Sequence, residues 1–215
     1  NGETATSDAT SAVANVNDPG SGLSLASDGD VADPDEDDVL SISGTLADED
    51  GVTGASPTYV WSTGATSSTL TLGQTNVGTT ISVVISYTDD QSESNTITLT
   101  ADSDVDNVND APSITSSGTT TGTEDSAYSY SITTTDEDGS SLDSWTITCT
   151  TCPSWLSISH TAGASTATLS GTPLNANVGD NSVVISVADA AGATATQSFT
   201  IAVANTNDAP TITST

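Results

Sequence analysis

Acidic residues recur at matched spacings in the two halves of this chain. Glu36 is followed 12 residues later by an Asp-Glu-Asp-Gly string, and Glu124 is followed by the same string at the same distance. Hard divalent cations prefer oxygen ligands of this kind. The chain has 29 Asp and Glu residues and no Lys or Arg, so its net charge is −29. Because a compact state with this charge repels itself, we expect bound cations, above all Ca²⁺, to offset the repulsion.

Aligning the two halves matches further acids. The string NVGTTISVVISYTDD corresponds to NVGDNSVVISVADAAG, and both Asp-Glu-Asp-Gly strings superimpose. Equal spacing predicts equal geometry in the two halves. The corresponding acids are Glu36 with Glu124, Asp48 with Asp136, Asp50 with Asp138, and Asp89 with Asp189.

The absence of basic residues excludes several functions. Proteins bind phosphate, nucleic acid and anionic membrane surfaces mainly through Lys and Arg, so we expect this chain to bind none of them. A catalytic lysine or an arginine clamp is impossible. The single histidine, His160, stands in LSISHTAGAS without an acidic or cysteine neighbour, which predicts a surface residue. Carboxylate pairs also act in glycosidases, but metal binding explains them more simply, and we expect no enzyme.

Three similar strings divide the chain: AVANVNDPG around Asp18, DVDNVNDAP around Asp110 and AVANTNDAP around Asp208. Their intervals of 92 and 98 residues fit one β-sandwich domain per repeat, since such a domain needs roughly 100 residues. The predicted domains are residues 19–110 and 111–208.

Both predicted domains show the alternation of β-strands. Ile81, Val83, Ile85 and Tyr87 recur at every second position in the first domain, and Val183, Ile185 and Val187 repeat this in the second. Turn-forming clusters of Gly, Asn, Asp and Ser separate such segments. We therefore predict an all-β fold of tandem Ig-like or cadherin-like β-sandwiches.

The two ends are out of phase with these domains. Residues 1–18 resemble the last strand and linker of a preceding domain, and 209–215 repeat the start of the second domain. This favours a longer tandem array as the parent. In a whole subunit, strand exchange between neighbouring subunits could complete the half-domains.

The aligned acids resemble the cadherin superfamily, in particular the cadherin-like repeats of bacterial surface proteins. That family binds calcium between domains with a Glu near the first strand, a linker of the form DxNDNxP, a DxD pair and an AxDxG aspartate. The strings CPSWLSI, LSGTP and VGDNSVVISVAD in the second domain resemble the dystroglycan-type cadherin variant. The first domain resembles repeats of giant bacterial adhesins through the string YVWSTGATSSTLTLGQTNVGTTISVVISYTD.

The resemblance implies calcium ligands at three successive positions along the array, and these residues supply enough oxygens for calcium, which takes six to eight. The predicted junction set is Glu36, Asn107, Asn109, Asp110, Asp136, Asp138 and Asp189. The equivalent set one repeat earlier is Asn15, Asn17, Asp18, Asp48, Asp50 and Asp89. Half of the next set is Glu124, Asn205, Asn207 and Asp208. The alternative is that these acids form solvated turns.

The linker departs from the family pattern. Asn107 stands where the family has Asp, Ala111 replaces the second Asn, and Pro112 comes one residue early. The Asp-Arg-Glu motif of cadherins is impossible without Arg. Fewer ions per junction are therefore implied. In the first domain, Asp89 lacks the following glycine of AxDxG.

Two further motifs leave alternatives open. Cys149 and Cys152 form a CTTC motif that could mean redox chemistry or half a zinc site, but a short-range disulfide fits better because no second pair or basic neighbour is present. The acidic run 28–38 suggests a local ion site, but the glycine of an EF-hand loop is missing, and an exposed acidic loop fits better.

The predicted function is structural: a calcium-rigidified repeat segment of a secreted or cell-surface adhesin or extracellular filament, of bacterial origin. Its partners are calcium and neighbouring repeats or subunits, with O-linked glycans possible on the many Thr and Ser. The alternative is a binding module for carbohydrate, protein or ice. That alternative depends on exposed rings of Trp61, Trp145 and Trp155, or on more than the single threonine row at 96–100.

Overall fold

The computed structural model describes residues 16–139, 144–210 and 212. The chain divides into two compact units, and the boundary between them in the sequence falls between Asn107 and Val108. The predicted domains 19–110 and 111–208 stay a prediction. The predicted ligand Asn15 lies outside the described residues, as do most of the leading segment 1–18 and part of the trailing segment 209–215.

The first unit is built from two sheets. One has the strand order β1-β2-β4 and the other β3-β5-β6, with every neighbouring pair antiparallel. The strands described in this unit are β1 (Ser21–Ser27), β2 (Val39–Ala47), β3 (Thr58–Trp61), β4 (Thr69–Thr71), β5 (Thr80–Thr88) and β6 (Ser94–Asp104).

The core of the first unit lies between these sheets because every second residue of a strand points to the same face. On β5, Ile81, Val83 and Ile85 are each at most 1% exposed. Leu40 from β2 and Trp61 from β3 join the same cluster, and the Trp61 indole donates a 2.8 Å hydrogen bond to the Ser67 carbonyl. Burial of each such large apolar side chain contributes about 1.5–3 kcal/mol.

The second unit also has two sheets, in the orders β10-β13-β14-β8 and β11-β12-β9-β7. Its core includes Ile132, Ile147, Leu169, Ile185 and Ile201, drawn from both sheets. The strands described in this unit are β7 (Ser113–Ile114), β8 (Thr121–Thr123), β9 (Tyr128–Thr135), β10 (Thr146–Thr151), β11 (Leu156–His160), β12 (Thr166–Gly171), β13 (Gly179–Ala188) and β14 (Thr194–Ala204).

The first strand of the second unit is split between the two sheets. β7 pairs antiparallel with β9, whereas β8 pairs parallel with the end of β14 through Thr121 opposite Ala202 and Thr123 opposite Ala204. The backbone N–H of Glu124 extends this pairing with a 2.9 Å hydrogen bond to the Ala204 carbonyl. In the first unit, a parallel bridge between Asp35 and Asp106 occupies the equivalent place.

Cys149 and Cys152 form a disulfide at the end of β10, which is an edge strand. The register of β10 against β13 shifts between Cys149 and Thr151, so a bulge lies inside the closed loop. The disulfide therefore closes the irregular end of this strand. Within the described part of the chain, no helix is long and apolar enough to cross a membrane.

Candidate metal centre

The N-terminal cluster of the second unit, defined as Asn109, Asp110, Asp136, Asp138 and Asp189, brings five predicted ligands together. The backbone N–H of Asp110 donates to Asp138 Oδ2 at 2.9 Å. The Asn109 amide donates to Asp189 Oδ2 at 2.9 Å, and the N–H of Asp138 donates to Asp136 Oδ1 at 3.2 Å. Three sequence segments thus converge at one end of this sandwich.

The sheets position this cluster because two of its acids lie directly after strands. Asp136 follows the last residue of β9, and Asp189 follows the last residue of β13. Gly139, with φ of 68°, adopts the left-handed conformation that turns the chain after Asp138. Since β9 and β13 both end at this edge, the matched spacing in the sequence becomes proximity in space.

Asp189 is held as a carboxylate by neutral donors. The hydrogen bond from Asn109 is the main cause that lowers the pKa of Asp189, burial opposes it, and the backbone N–H groups of Gly192 and Ala193 lower the pKa further. Ala193 donates to Asp189 Oδ1 at 2.8 Å. Donors aimed at the charged form favour ionisation, so the carboxylate form of Asp189 is stabilised by its own neighbourhood.

The N-terminal cluster of the first unit, defined as Asn17, Asp18, Asp48, Asp50 and Asp89, repeats this arrangement. The backbone N–H of Asp18 donates to Asp50 Oδ2 at 3.3 Å, and that of Asp50 donates to Asp48 Oδ1 at 2.9 Å. Both bonds have direct counterparts in the second unit. The acids aligned in sequence are therefore equivalent in structure.

Two residues of the first unit that the predicted ligand sets omit donate hydrogen bonds to acids of this cluster. The Tyr87 hydroxyl donates to Asp48 Oδ2 at 2.6 Å, and the buried Asn95 amide donates to Asp89 Oδ2 at 2.9 Å. Burial is the main cause that raises the pKa of Tyr87 to about 12, with the adjacent Asp48 adding to it. Sequence reasoning missed both residues as partners of the acids, because Tyr87 continues the apolar alternation of β5 and Asn95 stands beside a turn.

The C-terminal end of the second unit carries a separate acidic group. Oxygens of Glu124, Asp125 and Asp208 all lie within 4.8 Å of one another. Glu124 is only 2% exposed, and its Oε2 accepts a 3.0 Å hydrogen bond from the N–H of Thr206. The predicted ligands Asn205 and Asn207 are exposed at the same chain end, where the amide of each donates to the next residue's carbonyl, at 3.1 and 3.5 Å respectively.

Glu36 occupies the equivalent place in the first unit. It is 5% exposed, and its N–H donates to the Asp106 carbonyl at 2.9 Å, as Glu124 does to Ala204. The Gln74 side-chain amide lies between two predicted ligands, and its nitrogen donates to Glu36 Oε2 at 2.9 Å and to Asn107 Oδ1 at 3.2 Å. Glu36 and Asn107 thus share one partner within their own unit.

Asp125 belongs to the acidic group with Glu124 and Asp208, but the ligand sets predicted from the sequence do not include it. It follows Glu124 and has a φ of 59°, and Asp37, which follows Glu36, has a φ of 70°. A left-handed conformation is uncommon outside glycine, although Asp tolerates it better than most residues. The repeated Glu-Asp pair was the available signal, because the aligned strings EDD and EDS share it.

The buried carboxylates provide the electrostatic argument for a cation. Burying an ionised carboxylate is costly unless it is paired, and no Lys or Arg exists in the chain. Neutral donors satisfy some of the oxygens, but they add no opposite charge. A calcium ion supplies both charge and coordination for oxygen donors, so these residues fit calcium. The buried acids are Glu36, Asp89, Glu124, Asp138 and Asp189, each at most 7% exposed.

The acidic run 28–38 is organised differently. Asp28 Oδ1 accepts a 2.6 Å hydrogen bond from the N–H of Val39, and Asp38 Oδ2 accepts from the Ser27 hydroxyl and the Asp35 N–H at 3.3 and 3.2 Å. These carboxylates hold the backbone of their own loop, as Asp does in many turns. This arrangement agrees with the interpretation as an exposed acidic loop.

The tryptophan rings and the threonine row on which a binding module would depend are mostly buried or isolated. Trp61 and Trp145 lie in the cores at 1% and 5% exposure, and Trp155 is half-buried with its indole donating to Asn181 at 3.0 Å. The exposed threonine row at 96–100 lies opposite Ser86, Val84 and Ser82 on β5, so none of the three residues paired with it is a threonine. Neither feature forms an exposed aromatic platform or a threonine array.

One family model matches part of the second unit. The family model described as "Putative Ig domain" matches residues 111–204. Together with the two sheets of each unit, this confirms the prediction of an all-β, Ig-like fold. The dystroglycan-type assignment stays a prediction. No curated protein matches the sequence significantly.

Several solved structures are similar to this chain. An endo-fucoidan hydrolase from glycoside hydrolase family 107 is 28% identical, with a TM-score of 0.40 over 65% of this chain and 20% of the hydrolase. Extracellular cadherin domains 3-6 of protocadherin gamma B2 are 13% identical, with a TM-score of 0.48 over 82% of this chain and 44% of that chain. The SrpA adhesin from Streptococcus sanguinis is 21% identical, with a TM-score of 0.36 over 49% of this chain and 65% of the adhesin. This chain spans about a fifth of the hydrolase's length, and with these TM-scores below 0.5 the likenesses carry no functional assignment.

Proposed function

We propose that this chain is a structural segment of a secreted or cell-surface adhesin or extracellular filament, and that calcium rigidifies its tandem repeats. The observation that carries the proposal is the burial of carboxylates at equivalent places in both units of a chain that has no basic side chain. A structural role with no catalytic step follows, since the acids are occupied as ligands.

Calcium in this proposal binds the N-terminal cluster of each unit, where the linker and the acidic turns supply the oxygen ligands. Within the second unit, Asp110, Asp138 and Asp189 are already held by hydrogen bonds near one another. Asn107 and Asn109 are separated by one residue, so two linker residues of the predicted junction set lie in one short segment of the chain. The bound ion neutralises acids that otherwise repel one another.

The conditions outside cells favour this role. Extracellular calcium modules bind with dissociation constants of roughly 10⁻⁴–10⁻³ M, and calcium is abundant there. The disulfide between Cys149 and Cys152 also belongs to an oxidising compartment. Both features support a secreted or surface location.

The test combines calcium titration with imaging. We expect isothermal titration of the chelator-stripped chain to show calcium uptake, and electron microscopy to show extended particles with calcium and bent ones with chelator. Sodium chloride at matched ionic strength is the control, because simple screening of charge also reduces repulsion. Absence of calcium uptake, or an equal effect of sodium chloride, contradicts the proposal.

A further inference from the structure

We propose that Tyr87 and Asn95 are positioning residues that hold the N-terminal cluster of the first unit together without metal, so that this cluster depends on calcium less than its counterpart in the second unit. The inference rests on the proposed function, since it concerns the same clusters. It assigns the two repeats different calcium requirements, although their acids are equivalent.

The two residues form one cross-strand pair. Tyr87 on β5 lies directly opposite Asn95 on β6. At the corresponding place of the second unit, Val187 on β13 lies opposite Ala195 on β14. An apolar pair in one repeat is therefore replaced by a pair of hydrogen-bond donors in the other.

Tyr87 completes the hydrogen bonding of Asp48. Its hydroxyl donates to Oδ2 at 2.6 Å, while Oδ1 accepts from the N–H of Asp50 at 2.9 Å. Both oxygens of this carboxylate are thus engaged within the unit. Val187 has no hydroxyl and cannot make the corresponding bond to Asp136.

Asn95 does the same for Asp89. The amide of Asn95, a residue only 6% exposed, donates to Asp89 Oδ2 at 2.9 Å, while Oδ1 accepts from the N–H groups of Gln91 and Glu93, each at 2.9 Å. The linker residue Asn17 donates to Asn95 at 2.8 Å. Asn95 therefore joins the linker to Asp89 through an additional residue.

The second unit makes this connection directly. The amide of Asn109 donates straight to Asp189 Oδ2 at 2.9 Å, and Ala195 has no group that could intervene. Loss of order in the linker therefore removes a side-chain donor from Asp189, whereas Asp89 keeps Asn95. The first unit has an acidic end that its own sheet residues maintain.

The backbone leaves space for the tyrosine. A Cβ atom on Gly20 would lie 1.9 Å from the Tyr87 hydroxyl oxygen. The corresponding residue of the second linker is Pro112. The first repeat thus has both Gly20 and the Tyr87 hydroxyl, whereas the second repeat has Pro112 and Val187 at the corresponding positions.

Hydrogen exchange of individual amides in the full chain tests the inference. The informative groups are the N–H of Asp50 and Glu93 in the first unit and those of Asp138 and Ala193 in the second, since each donates to a cluster carboxylate. In chelator, we expect the wild-type chain to protect the first pair of amides more strongly than the second pair. Calcium should then slow exchange mainly in the second unit.

The variants Tyr87→Phe and Asn95→Ala remove the donors singly and together. In chelator, each should accelerate exchange at its own carboxylate by about tenfold, the order expected for loss of one hydrogen bond to a charged group. Saturating calcium should restore most of the protection. Tyr59→Phe removes a hydroxyl from the same unit and should leave these amides unchanged, and the indole signal of Trp61 reports whether the unit stays folded.

The outcomes separate the two proposals. If calcium protects the amides of both N-terminal clusters equally in the wild-type chain, the positioning role is wrong while calcium binding stands. The same conclusion follows if the amides of the Tyr87 and Asn95 variants exchange like those of the wild type in chelator. If calcium changes exchange at neither end, the proposed function fails, and the difference in calcium requirement fails with it. Gly20→Ala provides a second approach, because crowding the Tyr87 hydroxyl should accelerate exchange at Asp50 in chelator, and no acceleration counts against the role of Tyr87.

Discussion

Asp110 and Asp138 are joined by a 2.9 Å hydrogen bond from the backbone N–H of the first to Oδ2 of the second. The linker is thereby fixed to the acidic turn after β9 by its main chain, and the Asp110 carboxylate is not needed for that bond. The same relation in the first unit joins Asp18 to Asp50 at 3.3 Å. Backbone attachment leaves the side chains of both linker aspartates available to a cation.

Replacing Asp110 by alanine should reduce calcium binding without unfolding either unit. The backbone bond to Asp138 remains in this variant, while one carboxylate ligand is lost. We expect fewer ions per chain, or an affinity lower by about tenfold or more, in isothermal titration. Asp102→Ala is the matched control, because Asp102 is exposed near the end of β6. Unchanged stoichiometry and affinity in Asp110→Ala would show that the acids are solvated turns.

Removing the disulfide should have a small effect on stability. Cys149 and Cys152 lie only 3 positions apart in sequence, and the entropy of closing so short a loop corresponds to about 2 kcal/mol. The double variant Cys149→Ser and Cys152→Ser should lower the free energy of unfolding of the second unit by no more than about this amount. Urea denaturation with and without reductant measures it. Two alkylatable thiols in non-reduced, denatured wild-type protein would contradict the pairing itself.

Glycine 171 should tolerate no side chain. A Cβ atom there would lie 1.9 Å from the carbonyl oxygen of Trp155, which is a backbone atom and cannot rotate away. Gly171→Ala should therefore destabilise the second unit by about 1–3 kcal/mol, as overpacking does. Gly73→Ala is the control, because a Cβ at Gly73 meets nothing within 4 Å. Equal thermal stability of the two variants would refute this account of the β11-β12 contact.

Stability should fall at alkaline pH through Tyr128. Burial is the main cause that raises the pKa of Tyr128 from 10.0 to about 12. The folded unit therefore holds the phenolic proton where the unfolded chain releases it, so this contribution is full below pH 10 and is lost as pH rises to about 12. Phenolate absorbance should appear at higher pH in the folded than in the urea-unfolded chain. Tyr128→Phe should weaken this decline in stability but not abolish it, because the pKa of Tyr87 is raised as well.

The strands could be predicted because their burial follows their sequence. Ile81, Val83 and Ile85 recur at every second position, and the structure places them on the inner face of β5. The split into β7 and β8 could not be predicted, since 113–123 contains mostly small polar residues without alternation. Packing decides that segment: a Cβ on Gly118 would lie 2.6 Å from the Phe199 ring.

The acids could be located in sequence because spacing alone aligned them. Asp48 and Asp136 hold equivalent places after β2 and β9, and their turns have the same hydrogen bonds. Tyr87 and Asn95 could not be recognised as their partners, since a cross-strand pair depends on register and not on spacing along the chain. A single sequence contains that register only indirectly.

The parallel pairing of β8 with the end of β14 has a mechanical consequence. The chain passes through β7 and then β8 near the start of the second unit and leaves it after β14, and β8 and β14 run in the same direction with three residues of each in register. A pulling force applied along the polypeptide therefore loads the hydrogen bonds between them in shear, so that they must break together. The Glu124 to Ala204 bond lies in the same ladder, so the buried glutamate stands beside the hydrogen bonds that carry this shear load.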